Sequence, residues 1–213
     1  MANYKVKSQD LVEKVHSMIR LMILRNQLVP GQKLIQEELA EKLGVSRTPL
    51  LSALSKLEKE FLVESLPRRG YYVRKLSRQE ELDLFDIRLQ LEPLAARRAA
   101  ANITPKGARD LMTRAEISPK QRETMDQKSF CEYDYHFHSL IQELSGNEFL
   151  HKMTSSYNII SLSNQNIVTE FDYSIGQHLE LARLIGEGKA SEAESLMEEH
   201  ISQARRRIVA LAD

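Results

Sequence analysis

Four residues in the second half of the chain, Asp134, His138, His178 and His200, are of types that hold metal ions. Asp134 and His138 are four apart, which aims both side chains at one point if the segment is helical. The segment does read as a helix. Phe130, Tyr133, Phe137, Leu140, Ile141 and Leu144 recur at helical period, and the Asp/His pair lies on or beside that apolar stripe. A carboxylate turned toward a core is costly unless it is paired or coordinated. His178 aligns with Ala182 and Ile185, and His200 falls in the stripe Ala193, Leu196, Met197, Ile201, Ala204 and Ile208. Three imidazoles and one carboxylate converging inside a bundle suit a borderline divalent ion, Zn²⁺ first, with Ni²⁺ or Mn²⁺ as alternatives. The competing reading is a set of ordinary core histidines, and spacing alone leaves the two level. His136 points elsewhere, and His16 and His151 have no partners at helical spacing.

A second constellation is basic. Ser46-Arg47-Thr48-Pro49 opens a short helix in which Leu50, Ala53, Leu54 and Leu57 face inward, with Ser46 as its cap and Pro49 in the first turn. At such a helix start, Arg47 is placed for a guanine edge or a phosphate, and the Ser46 and Thr48 hydroxyls suit phosphate oxygens. Leu62–Leu66 and Tyr71–Arg74 read as two strands joined by Pro67-Arg68-Arg69-Gly70, a basic hairpin tip able to reach phosphates or the minor groove. Taken singly, each arginine is as easily a solvated surface charge; the ordered set favours DNA.

These residues need elements to position them. An apolar series from Leu11 through Val12, Val15, Met18, Ile19, Met22 and Ile23 predicts a first helix near 10–26. Leu39, Ala40 and Leu43 mark a second, closed by Gly44, before the helix at Ser46. Helix, turn, helix and basic hairpin together make a winged helix-turn-helix. Beyond Leu76, strand signals stop. Ser77 and Glu80 form a capping box for a long helix to about Ala101, Thr104-Pro105 and Ser118-Pro119 start further segments, and helices follow at roughly 130–144, 148–168, 174–186 and 191–211, the last opened by a capping box at Ser191 and Glu194. The fold class is therefore mainly α: a winged helix-turn-helix over residues 1–76, then an all-α bundle of about six helices over 77–213.

Charge agrees with this division. Net charge is zero, but residues 1–75 carry 14 Lys+Arg against 8 Asp+Glu, and the remainder balances that excess with acid. A lone Cys131 excludes an internal disulfide and suits a reducing cytosol. No apolar run approaches the ~20 residues of a membrane span, and the first residues lack the apolar core of a signal peptide. A cytoplasmic protein without membrane contact is expected.

The stretch from Pro30 to Leu50, with Ala53-Leu-Ser-Lys-Leu-Glu58 and the wing Arg69-Gly-Tyr-Tyr-Val73, closely resembles the GntR family of bacterial regulators. That resemblance implies operator contacts from Arg47, Thr48 and the Gly70 wing tip, in a homodimer on double-stranded DNA. Leu51 departs from the pattern: the family usually has a base-reading arginine there. An altered operator or weaker base readout follows, unless Leu51 covers an apolar patch. Residues 79–213 look like the FCD effector domain of the FadR-type branch, whose metal-binding members carry Asp-x-x-x-His, then His, then His. Asp134, His138, His178 and His200 fill those places. The resemblance implies a small carboxylate effector at the ion. Arg88 matches an arginine facing that cavity, although an i,i+4 pair with Glu92 is an equal reading, and Tyr133 and Asn164 are expected along its wall. The function implied is a transcription regulator, commonly a repressor, switched by that effector. A metal-sensing regulator, a structural metal and a helical metallohydrolase are the alternatives.

Overall fold

The computed structural model describes residues 7–164 and 171–210. The first helix, α1 (Lys7–Leu24), buries Val15, Ile19, Met22 and Ile23, one face at a period of 3.6. Leu11 and Met18, which the periodicity also counts, stay exposed. A strand that sequence reading missed, β1 (Lys33–Leu34), precedes α2 (Gln36–Leu43). Two residues are too few to show alternation, so no periodic signal marks it. Gly44 closes α2 with φ 65°, a left-handed conformation that glycine takes without strain.

Helix α3 (Arg47–Lys59) seats Leu50, Ala53, Leu54 and Leu57 fully in the core. Ser46 has the backbone of an N-cap, yet its side chain makes no capping bond, so that part of the expectation fails. Strands β2 (Val63–Leu66) and β3 (Gly70–Val73) pair antiparallel with Val63 opposite Val73 and Leu66 opposite Gly70, and β1 joins the far side of β3 to give the order β1-β3-β2. At the wing tip Arg68 has φ 63° and Gly70 φ 94°, the positive angles that turn the chain.

The second half contains seven helical segments among the described residues: α4 (Arg78–Asn102), α5 (Pro105–Ala115), the single-turn α6 (Pro119–Glu123), α7 (Gln127–Leu144), α8 (Glu148–Asn164), α9 (Phe171–Gly186) and α10 (Ala190–Ala210). Side-chain caps open most of them. Ser77 and Glu80 form the predicted reciprocal box, Ser118 and Gln121 another, and Thr104 and Asp126 accept from Gly107 and Ser129. The box expected at Ser191 does not form, because α10 already begins at Ala190 and Ser191 lies in its first turn.

Ala95, Ala96, Ala99 and Ala100 give α4 a small-residue face against which α10 lies along its length, with Ala193, Met197 and Ile201 buried opposite. Helices α7, α9 and α10 thereby bring Asp134, His138, His178 and His200 to one interior point. The winged part docks through α1 on α7 and α8: Arg25 grips Glu132 with two hydrogen bonds of 3.0 and 2.6 Å, and Arg20 donates to the Ser155 carbonyl at 2.8 Å. Cys131 packs into the same apolar cluster as the α1 and α3 core, with Tyr135 against it.

Ser77→Ala removes the α4 box at the start of the longest helix. It should lower stability by about 1 kcal/mol, read as a lower urea midpoint with an unchanged slope. An unchanged midpoint would mean that Glu80 holds the turn alone.

Candidate metal centre and nucleic-acid interface

Two of the three histidines of the cluster lie against a partner that decides which nitrogen faces inward. His138 Nδ1 lies 2.5 Å from Glu92 Oε2, and His200 Nδ1 lies 2.8 Å from Gln177 Oε1. Both partners accept, so both Nδ1 atoms donate, and in the neutral imidazole each Nε2 carries its lone pair inward. His138 Nε2 and His178 Nε2 each stand 3.3 Å from His200 Nε2, while Asp134 Oδ1 is 3.7 Å from His138 Nε2 and 3.5 Å from His178 Nε2. All four ligand atoms fall within 4.8 Å of one another, and all four residues are buried.

This is a group of acceptors with little to accept from. With both imidazoles neutral, the Nε2 lone pairs of His138 and His200 face each other, and a carboxylate oxygen completes the ring. An ion ~2.0–2.1 Å from tetrahedral nitrogen donors would set neighbouring donors ~3.4 Å apart, close to the spacings here. The residues therefore fit a divalent cation, by geometry and by donor chemistry.

Electrostatics agree. Burial, reinforced by the neighbouring imidazoles, holds His178 and His200 well below the ordinary histidine range, so both stay neutral. Burial raises Asp134 against the pull of His138 and Arg88, the behaviour of a carboxylate lacking a full counter-charge. Beneath the ring, Arg88 Nε donates to Glu92 Oε1 at 2.6 Å. Although burial opposes charge on Glu92, Arg88 and His138 overcome it and hold its carboxyl at about 2. Arg88, Glu92 and His138 thus form a buried chain, with His138 pushed upward overall by Glu92 and Asp134 despite its burial.

Sequence reading missed Glu92 and Gln177. Glu92 was visible only as a helical partner of Arg88. Gln177 had no signal, since which neighbour of His178 faces His200 depends on how α9 meets α10. Of the expected cavity residues, Arg88 is tied to Glu92 and also lines a cavity of about 30 Å³ that reaches Asp134 and His200. Tyr133 is placed elsewhere: its hydroxyl donates to the Ala115 carbonyl at 3.0 Å and it lines a separate cleft of about 880 Å³ beside α5 and α6. Its ring still lies against His178, tilted by 37° with centroids 5.3 Å apart. The Asn164 side chain lies outside the described residues. His136 is half-buried near Glu132, His16 bonds Glu60 at 2.9 Å, and His151 is not among the clustered donors.

At the other end of the molecule, Ser46, Arg47, Thr48, Arg68 and Arg69 are all exposed. Arg47 is steadied by Gln36 at 3.1 Å and by Glu37 at 3.7 Å. Because Ser46 does not cap α3, its hydroxyl is not spent on the helix end. Leu51 is half-buried on α3, an apolar side chain among these polar ones.

A winged helix-turn-helix joined to a helical bundle is the architecture of a DNA-binding transcription regulator. Residues 11–73 match the "Bacterial regulatory proteins, gntR family" and residues 83–203 the FCD domain, so the chain belongs to the GntR family with an FCD domain. Its relatives include the "HTH-type transcriptional repressor RspR" of Escherichia coli K12, 24% identical over 203 residues covering 92% of this chain and 88% of the relative. The "Nta operon transcriptional regulator" of Aminobacter aminovorans is 29% identical over 178 residues, covering 82% and 83%. Among solved structures, Escherichia coli McbR/YncC shares the fold with a TM-score of 0.84 at 21% identity, over 95% of this chain and 99% of that one. These are transcription regulators, which sets aside the hydrolase alternative. No helix among the described residues is long and apolar enough to cross a membrane.

Glu92→Gln leaves Arg88 buried without its counter-charge and weakens the acceptor behind His138. Zn²⁺ affinity in a chelator-competition titration should fall about 10–100-fold, with stability lower by about 3–5 kcal/mol. Undiminished Zn²⁺ affinity would detach Glu92 from the site. For the exposed face, Arg47→Ala should cost about 1–3 kcal/mol of operator discrimination if it reads a base, or weaken all duplexes alike if it holds a phosphate; fluorescence anisotropy on matched and scrambled duplexes separates these.

Proposed function

We propose that the protein is a transcription repressor whose operator affinity is set by a small carboxylate bound at a divalent-metal site made of Asp134, His138, His178 and His200. Repression is taken from relatives named as repressors. The observation that carries the metal reading is the set of inward Nε2 atoms, fixed by Glu92 and Gln177, around one buried carboxylate. Zn²⁺ fits three imidazoles and a carboxylate best, with Ni²⁺ or Mn²⁺ as alternatives. A bound ion would supply open positions for oxygen donors.

On the DNA side, Ser46, Arg47 and Thr48 would meet the major groove, and Arg68, Arg69 and Gly70 the backbone or minor groove. A homodimer would present two such heads to a near-palindromic site.

Helix α7 supports coupling between the two ends. The stripe of it that holds Asp134 and His138 also carries Cys131 and Tyr135 into the core of the winged part, and Glu132 beside that stripe meets Arg25, just past the end of α1. A ligand that tilts or rotates α7 must move or break those contacts, and so shift the head. A ligand changes operator affinity only by binding the two arrangements differently.

The test begins with duplexes selected by the Zn²⁺-loaded protein from a random pool. A panel of small carboxylates is then scored by thermal shift and by anisotropy on the selected duplex. At least one should raise the melting temperature and weaken DNA binding about 5–150-fold. In Glu132→Gln the same carboxylate should bind equally well while its effect on DNA shrinks. A carboxylate that binds tightly and leaves operator affinity unchanged removes the coupling; DNA binding that follows Zn²⁺ alone favours the metal sensor.

A further inference from the structure

The cavity of about 30 Å³ beside Asp134 and His200 has a second wall. Its lining includes Arg88, Ser174, Gln177 and Arg207 as well as the two acidic and imidazole donors. Arg207 is on α10, two turns beyond His200, and is half-buried. Its guanidinium sits over the Tyr173 ring, 5.8 Å from the centroid. The Tyr173 hydroxyl accepts from Gln177 Nε2 at 2.9 Å, and Gln177 Oε1 is the acceptor for His200 Nδ1 at 2.8 Å. A continuous chain thus runs from Arg207, through a ring and an amide, to His200 of the donor cluster.

Arg88 and Arg207 are not equivalent in this cavity. Arg88 is 4% exposed and its Nε is committed to Glu92, whose charge in turn holds His138. Removing Arg88 from that role would leave Glu92 uncompensated in the interior. Arg207 stands at the mouth, where a planar fork of donors can meet an incoming carboxylate. With a divalent ion present, the charges of Asp134 and Glu92 are outweighed by the ion and the two arginines, so the cavity favours an anion. Its size admits ~1–2 water-sized groups, enough for one carboxylate head but not for a bulky one.

We propose that Arg207 is the residue that anchors the effector's carboxylate, and that Arg88 instead serves as the buried counter-charge of Glu92. The ligand class is a carboxylate with a small head, its remainder leaving the site past Arg207 and Tyr173 between α9 and α10. This rests on the carboxylate-at-metal reading above. Stacking on Tyr173 holds the guanidinium near the mouth, and the Tyr173–Gln177–His200 chain lets occupancy there reach the imidazole.

The experiment measures acetate and glycolate binding to Zn²⁺-loaded wild type, Arg207→Gln and Arg207→Lys by calorimetry, with Zn²⁺ affinity by chelator competition as a parallel readout and phosphate as a bulkier anion. Arg207→Gln should bind the carboxylates at least tenfold more weakly, Arg207→Lys should fall between, phosphate should bind worse than acetate, and Zn²⁺ affinity should stay within about twofold in all three proteins. Equal carboxylate affinity in wild type and Arg207→Gln overturns the assignment while leaving the carboxylate reading intact. If neither acetate nor glycolate binds the Zn²⁺-loaded wild type, both fall together. A loss of Zn²⁺ affinity in Arg207→Gln that matches the carboxylate loss also overturns it, because the arginine would then act on the donors and not on the ligand.

Discussion

Two imidazole lone pairs cannot be held face to face in a protein interior without something positive between them. His138 and His200 are in that position, their Nε2 atoms 3.3 Å apart, and neither can relieve it by changing tautomer, because Glu92 and Gln177 occupy the opposite nitrogens. Protonation is the other escape: burial opposes it at His200, whereas Glu92 and Asp134 favour it at His138 despite burial, so a proton on His138 and a cation at the centre compete for the same place. The bundle is built around this constraint: three helices from distant parts of the chain must meet at fixed rotation for the four donors to converge. Isolated core histidines would require none of that. Each would turn one nitrogen to an acceptor and bury the other among carbon atoms.

The layer beneath the donors follows from the same constraint. A carboxylate behind a metal-facing imidazole makes it a better donor, but a buried carboxylate needs its own compensation. Arg88 supplies that, one turn away on α4, where the alanine face lets α10 come close and seals the pair from water. Charge therefore alternates outward from the centre: imidazole, carboxylate, guanidinium. A second arginine at the cavity mouth is then a different kind of residue, set apart from this stack by Gln177 and Tyr173.

Much of this was legible in the sequence because it was written in periodicity. The i,i+4 spacing of Asp134 and His138, and the positions of His178 and His200 within apolar stripes, required only that each segment be a helix. The winged part was legible for the same reason, with Gly44 and the Arg68–Gly70 tip as punctuation. What was hidden depends on packing between elements. Glu92 looked like half of an intrahelical i,i+4 pair, and nothing local revealed that His138 of α7 faces it. Tyr133 sits on the correct helix but turns its hydroxyl to Ala115, a contact with α5 that no spacing rule anticipates. Strand β1 exists only because β3 offers it an edge. Ser46 has the sequence and backbone of a cap without the bond, so propensity named the position correctly and its chemistry incorrectly.

The winged part makes its contacts to the bundle chiefly through α1, and their placement constrains any communication between the ends. Glu60, just past α3, accepts from Arg20 and pairs with His16, while the same Arg20 donates to the Ser155 carbonyl of α8. Five residues on, Arg25 grips Glu132 of α7. The end of the helix that would enter DNA is thus wired to α8, and α1 as a whole to the helix that carries Asp134 and His138. A displacement of α7 relative to α8 cannot satisfy both guanidiniums at once unless α1 moves with it, because α1 is rigid between them. That geometric conflict, rather than any long-range softness, is what would turn a small adjustment at the buried donors into a reorientation of the DNA-facing surface.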